Sequence, residues 1–118
     1  MPQDTSGRVP SSGELTPAEP VRLAGLLDYV AGSIVSRTIA KSPVGTITLF
    51  AFDAGQGLSE HTAPYDAFVQ VLDGQVELTI GGKPVLASEG ETVLMPASVS
   101  HALNAGRRFK MLLTMIRG

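Results

Sequence analysis

Gly55-Gln-Gly-Leu-Ser-Glu-His61-Thr-Ala-Pro-Tyr-Asp-Ala-Phe-Val-Gln-Val-Leu-Asp-Gly74 is the stretch whose reading decides the fold. It holds a glycine loop, a short segment ending at His61, a Pro64-Tyr65-Asp66 break, and a strand pattern from Ala67 to Asp73 that Gly74 ends. A second stretch answers it: Gly90-Glu-Thr-Val-Leu-Met-Pro96-Ala-Ser-Val-Ser-His101-Ala-Leu-Asn104. Each contributes one of the two histidines in the chain. The functional reading turns on whether those imidazoles meet.

Outward from these stretches the texture is that of short strands. Residues 33 to 40 are β-branched and alternating, and residues 41 to 45 read as a turn. Residues 46 to 52 form a second strand that is apolar on both faces in its second half. Such a strand needs cover on two sides, from a second layer or a neighbouring subunit. Further strands are expected at Gln75 to Ile80, Lys83 to Ala87, Thr92 to Met95, His101 to Ala105 and Phe109 to Ile116. Gly81-Gly82 suits a two-residue hairpin turn, because both residues can take positive φ. About nine short strands with Gly- or Pro-marked turns argue for an antiparallel sandwich or barrel.

The start of the chain reads differently. Residues 1–20 are rich in Pro, Ser and Gly and read as a flexible tail, leaving residues 21–118 as the barrel domain. Between Pro20 and Gly32 the spacing of Val21, Ala24, Leu27 and Val30 fits two helical turns. An extended segment with a single helical turn fits almost as well.

Composition narrows the function classes. A chain of 118 residues fits one domain with a small core, so burying further surface in an oligomer would help. A net charge of −2, and basic residues that do not cluster beyond Arg107, Arg108 and Lys110, give no footprint for nucleic acid or an anionic membrane. The absence of cysteine removes disulfides, thiolate catalysis and thiolate zinc sites. No apolar run reaches the ~18 residues a membrane span needs. The first residues lack a basic start followed by an apolar block, so the expected location is the cytoplasm. No Gly-x-Ser-x-Gly elbow or phosphate loop is present, and Gly55-Gln-Gly57 is too short for a dinucleotide fingerprint.

On these residues the chain, from about Leu23 onward, resembles the small single-domain cupins of the conserved-barrel type. Gly55, His61 and Gly74 fall on the spacing of the first cupin motif, and Gly90, Pro96 and His101 on that of the second. The resemblance implies an all-β jelly-roll barrel, the double-stranded β-helix, with a short N-terminal extension. It also implies a homodimer and a site inside the barrel mouth. Metal-binding cupins use three His and one Glu; here the second His position is Ala63 and the Glu position is Ala67. Ser98 stands where the second motif has its inner glycine, and Ala105 where it ends in Asn.

Two imidazoles at matching motif positions leave two expectations. In one, His61 and His101 hold Zn, Ni, Fe or Mn, with Asp66 turned inward by a bulge, or Gln70, as a further oxygen donor, and the protein is a metal-dependent enzyme of oxygenase, isomerase or lyase type. In the other, Ala63 and Ala67 leave room for a small organic molecule, and the imidazoles anchor it or act as a general base. Val69, Met95 and Leu103 then line the pocket, with Met111, Leu113 and Met115 as core. Tyr65 is expected at the rim, and Asp66 more simply as an exposed turn carboxylate.

Overall fold

The computed structural model describes residues 13–117. The expected tail falls largely on residues 1–12, which lie outside the described residues. Nine strands follow one another: β1 (Ile34–Ser42), β2 (Gly45–Phe52), β3 (Gly57–His61), β4 (Asp66–Asp73), β5 (Gln75–Ile80), β6 (Lys83–Ser88), β7 (Thr92–Met95), β8 (His101–Asn104) and β9 (Phe109–Ile116). They form two antiparallel sheets, one ordered β1-β2-β9-β4-β7 and the other β3-β8-β5-β6.

The alternation in the sequence sets which residues face the space between the sheets. Ala67, Val69 and Val71 of β4, Val76 and Leu78 of β5, and Phe109 and Met111 of β9 all join one buried apolar cluster. Glu77, between the two buried residues of β5, points to solvent. Phe52 and Phe109 are cross-strand partners on β2 and β9, and their rings stack at 4.7 Å between centroids. Such a pair contributes roughly 0.5–1.5 kcal/mol beyond the area it buries.

Turn chemistry fixes the connections. Gly81 and Gly82 both take positive φ (57° and 81°) between β5 and β6, as the expected hairpin requires. Gly74 joins β4 to β5 at φ 75°, and a Cβ there would sit 2.3 Å from the Arg108 carbonyl oxygen. No side chain fits in that gap. The β1–β2 turn is tighter than the sequence suggests: Ser42 pairs with Gly45, so only Pro43 and Val44 lie outside the ladder.

The segment before β1 contains a single 3₁₀ turn, Leu23–Gly25, not two turns of α-helix. Its backbone is committed to the sheet behind it. The Lys110 ammonium donates to the Ala24 carbonyl at 2.6 Å, and Arg37 Nε donates to the Gly13 carbonyl at 2.7 Å. Tyr29 hydroxyl donates to Asp73, while Arg108 and Lys110 sit over its ring at 5.3 and 4.9 Å. Burial, and then the Asp73 carboxylate, push the Tyr29 phenol well above its ordinary pKa, so it stays a donor. The outer face of β2 is covered within one chain: Leu49 is 1% exposed and Ala51 0%. A neighbouring subunit is not needed for that strand.

Asp53 locks the end of this arm. Its carboxylate accepts from Arg108 Nε at 2.8 Å and from the Gly32 amide at 2.6 Å. Those two bonds, the Arg108 bond first, hold the Asp53 pKa below its usual value. A carboxylate depressed by folding stabilises the protein above its unfolded pKa, and that contribution disappears as pH falls through the lower folded value. Asp53→Asn therefore lowers Tm at pH 7, and the difference from the parent narrows once the pH falls below about 4. Thermal melts of both proteins across that range check the sign, and a pH-independent difference would contradict it.

Candidate functional site

His61 closes β3 and His101 opens β8, and the two are directly paired across the ladder. The pairing depends on an irregularity. Leu58 pairs with Leu103, so a regular register would set Glu60 opposite His101. One extra residue on β3 between Leu58 and His61 shifts the count and brings His61 there instead. The rings meet edge to face, with centroids 4.4 Å apart and planes at 68°. His101 is buried at 5% exposure, while His61 is exposed at the barrel end.

Both rings are oriented by the backbone two residues earlier. His61 Nδ1 lies 2.8 Å from the Ser59 carbonyl, and His101 Nδ1 lies 3.3 Å from the Val99 carbonyl. A carbonyl only accepts, so each Nδ1 carries a hydrogen, which leaves Nε2 as the nitrogen free to meet a ligand. For His61 this bond also satisfies a carbonyl within the bulge. Neither Nε2 has a protein partner among the described residues. The pair thus offers two ring nitrogens without a protein partner.

The other expected lining residues divide. Ala67, Val69, Met95 and Leu103 are buried in the apolar cluster, and Ala63 is half-buried beyond β3. Ala67 pairs with Met95 on one side and Met115 on the other, so two methionines flank the missing carboxylate position. Asp66 does not turn inward. It points opposite to Ala67, and its Oδ1 accepts from the Ala97 amide at 2.9 Å, which makes it a turn anchor. Gln70 likewise faces outward and is exposed, and Glu60 is exposed. Tyr65 sits at the rim with the Arg117 guanidinium 4.9 Å over its ring.

The loop before His101 is built on Ser98. The Val99 amide closes a turn on the Pro96 carbonyl at 3.3 Å, and the Ser98 amide donates to the Ala63 carbonyl at 2.8 Å. Ser98 takes φ 63°, the left-handed region that the motif serves with glycine. The motif departure marked a backbone requirement that this chain meets at a cost. Sequence reasoning missed a second feature, a cavity of about 250 Å³ between Thr46, Tyr65, Met115 and Arg117. Its residues lie far apart in the chain and share no motif.

Comparison with known proteins follows this geometry. The sequence profile of the cupin domain matches residues 48–116. A conserved protein of unknown function from Streptococcus pyogenes is 33% identical with a TM-score of 0.85, over 89% of this chain and 92% of that one. A cupin 2 conserved barrel domain protein from Leptotrichia buccalis is 38% identical with a TM-score of 0.77, over 79% of this chain and 45% of that one. A cupin superfamily protein from Desulfitobacterium hafniense is 27% identical with a TM-score of 0.84, over 89% and 96%. No curated protein sequence matches. Among the described residues no helix is long and apolar enough to cross a membrane.

The positive φ at Ser98 generates a direct test. A left-handed non-glycine residue costs roughly 1–2 kcal/mol, and glycine loses about 0.5–1 kcal/mol of that gain to its freer unfolded chain. Ser98→Gly therefore stabilises the protein by about 0.5–1 kcal/mol, read as a rise in denaturation midpoint at unchanged m-value. An unchanged or lower midpoint would show that the Ser98 conformation carries no strain.

Proposed function

The chain belongs to the cupin domain family, and from that premise we propose that it binds a small hydroxylated molecule at the barrel end carrying His61 and His101. The observation that supports this is the imidazole pair itself. Two rings with centroids 4.4 Å apart, each Nδ1 directed at a backbone carbonyl, leave both Nε2 atoms without a protein partner among the described residues. A ligand with more than one hydroxyl can meet both rings at once, which a single polar atom cannot. Ala63 is half-buried near the end of β3, whereas Ala67, Val69, Met95 and Leu103 are packed in the core and support the strands that carry the two rings.

A metal centre of the three-His, one-Glu kind does not fit these residues. Two of its four positions are Ala63 and Ala67, and Asp66 is spent on the Ala97 amide. Among the described residues no group of three or more His, Asp or Glu is placed to hold an ion. Two imidazoles alone bind Zn, Ni, Fe or Mn weakly, because tight sites supply three or four ligands. No reaction step is assigned to a metal here.

A screen of neutral polyols by NMR tests the reading. Saturable shifts are expected at His61, Ala63 and His101, weakened about tenfold or more in His61→Ala and in His101→Gln with the melting temperature retained. Shifts that persist in both variants, or no binding across the panel, would overturn it. So would untagged protein that retains stoichiometric Zn, Ni, Fe or Mn and melts higher with it, which would favour the enzyme alternative.

Two copies are expected to associate. The edge strand β7 exposes Leu94 at 47%, and Val21 of the arm is exposed at 43%. A small barrel gains from covering such residues in a second copy. Sedimentation at micromolar concentration is expected to give twice the chain mass, and Leu94→Lys to shift it toward one chain. A single-chain mass for the parent protein would refute the dimer.

A further inference from the structure

The cavity beside Tyr65 has a chemistry of its own. It opens where the β1–β2 hairpin meets the end of β9, and its lining includes Lys41, Ser42, Thr46, Tyr65, Met115 and Arg117. Two cations and three hydroxyl-bearing residues line one space of about 250 Å³, with no acidic side chain in the lining. Met115 and the Tyr65 ring supply the apolar part of the wall.

Three observations point to a missing ligand. Neither Lys41 nor Arg117 makes a side-chain ion pair among the described residues. Arg117 is nevertheless held, because its guanidinium stacks over the Tyr65 ring at 4.9 Å and its amide donates to the Val44 carbonyl at 2.8 Å. A stacked guanidinium keeps its edge N–H groups available for a planar oxyanion. Thr46 Oγ1 is buried and has no hydrogen-bond partner, an uncommon state for a polar group inside a protein. Glu14 lines an adjoining cavity that shares Lys41, Ser42 and Thr46.

We propose that this cavity is a subsite for the carboxylate of a small organic acid. Arg117 forms the two-pronged contact, Lys41 adds charge, and the enclosed Thr46 hydroxyl turns outward about its χ1 bond to donate. The apolar wall of Met115 and Tyr65 favours an acid with a short carbon body over a bare inorganic anion. The subsite extends the reading above without depending on it, since none of its residues touches the imidazole pair. Thr46 pairs with Met115, and Met115 with Ala67, so the subsite and the motif positions lie on one cross-strand row at the same end of the barrel.

Titration of the labelled full-length protein with benzoate and, separately, with inorganic phosphate tests this. Benzoate is expected to give saturable shifts at Thr46, Tyr65 and the Arg117 Nε–H. Arg117→Gln is expected to weaken it about tenfold or more, and Thr46→Val to weaken it less, at unchanged melting temperature. His61→Ala is expected to leave benzoate affinity unchanged, which separates failure here from failure of the polyol site. Shifts centred on Arg107, Arg108 and Lys110, or equal affinity in Arg117→Gln, would overturn the assignment. Phosphate binding tighter than benzoate at the same residues would overturn the organic-acid part of it.

Discussion

The contact on which the structure depends is the apolar seam between its two sheets. Phe52 on β2 stacks against Phe109 on β9, and both are removed from water along with Val69, Val71, Leu78 and Met111. The strands β4 and β8, which carry Ala67 and His101, have their alternate side chains in this seam, and β3 reaches it through Leu58. Because the residues on a strand alternate between faces, burying Val69 and Val71 also fixes the side on which Ala67 lies, and burying Leu103 fixes that of His101. The site is therefore positioned by packing that is remote from any chemistry. The same seam explains why the lost ligand position at Ala67 is not simply a hole: Met95 and Met115 stand on either side of it, and flexible thioether side chains fill irregular space well.

Around that seam the chain uses its polar groups mainly to tie loops down. Asp53 joins Gly32 to Arg108, Tyr29 joins the arm to Asp73, and Asp66 holds the Pro96 turn through the Ala97 amide. These carboxylates have structural partners and are not available for acid–base work at the barrel end. The imidazoles are different. Each uses one nitrogen to orient itself and leaves the other unpartnered, the arrangement that prepares a histidine to meet something outside the protein. Lys41, Arg117 and Thr46 repeat the pattern with hydrogen-bond donors in place of imidazoles.

Much of the fold was legible in the sequence, because strand order in a small β protein is written in its punctuation. Gln75 to Ile80, the Gly81-Gly82 turn, Thr92 to Met95 and Phe109 to Ile116 lie where alternation and turn residues put them. Local pattern failed where tertiary contacts took over the backbone. Residues 21 to 30 have helix-like spacing, yet only Leu23–Gly25 forms a turn, because the Ala24 carbonyl is given to Lys110 and Tyr29 is drawn to Asp73. The two-sided apolar strand was read correctly as needing cover, but the sequence could not say that one chain alone buries Leu49 and Ala51.

By itself, then, the sequence determined the strands and their turns, since these follow from side-chain alternation and from glycines that only certain turns accept, and the spacing of its two motifs resembled that of the family. It also showed that two of four ligand positions hold alanine. Only the tertiary structure decided that His61, and not Glu60, lies beside His101. That choice rests on one extra residue in β3, and a bulge is set by pairing with a partner strand forty residues away, which no local pattern records. The grouping of Lys41, Thr46, Tyr65 and Arg117 was decided in the same way, because a hairpin, a loop and a strand end become neighbours only when the barrel closes.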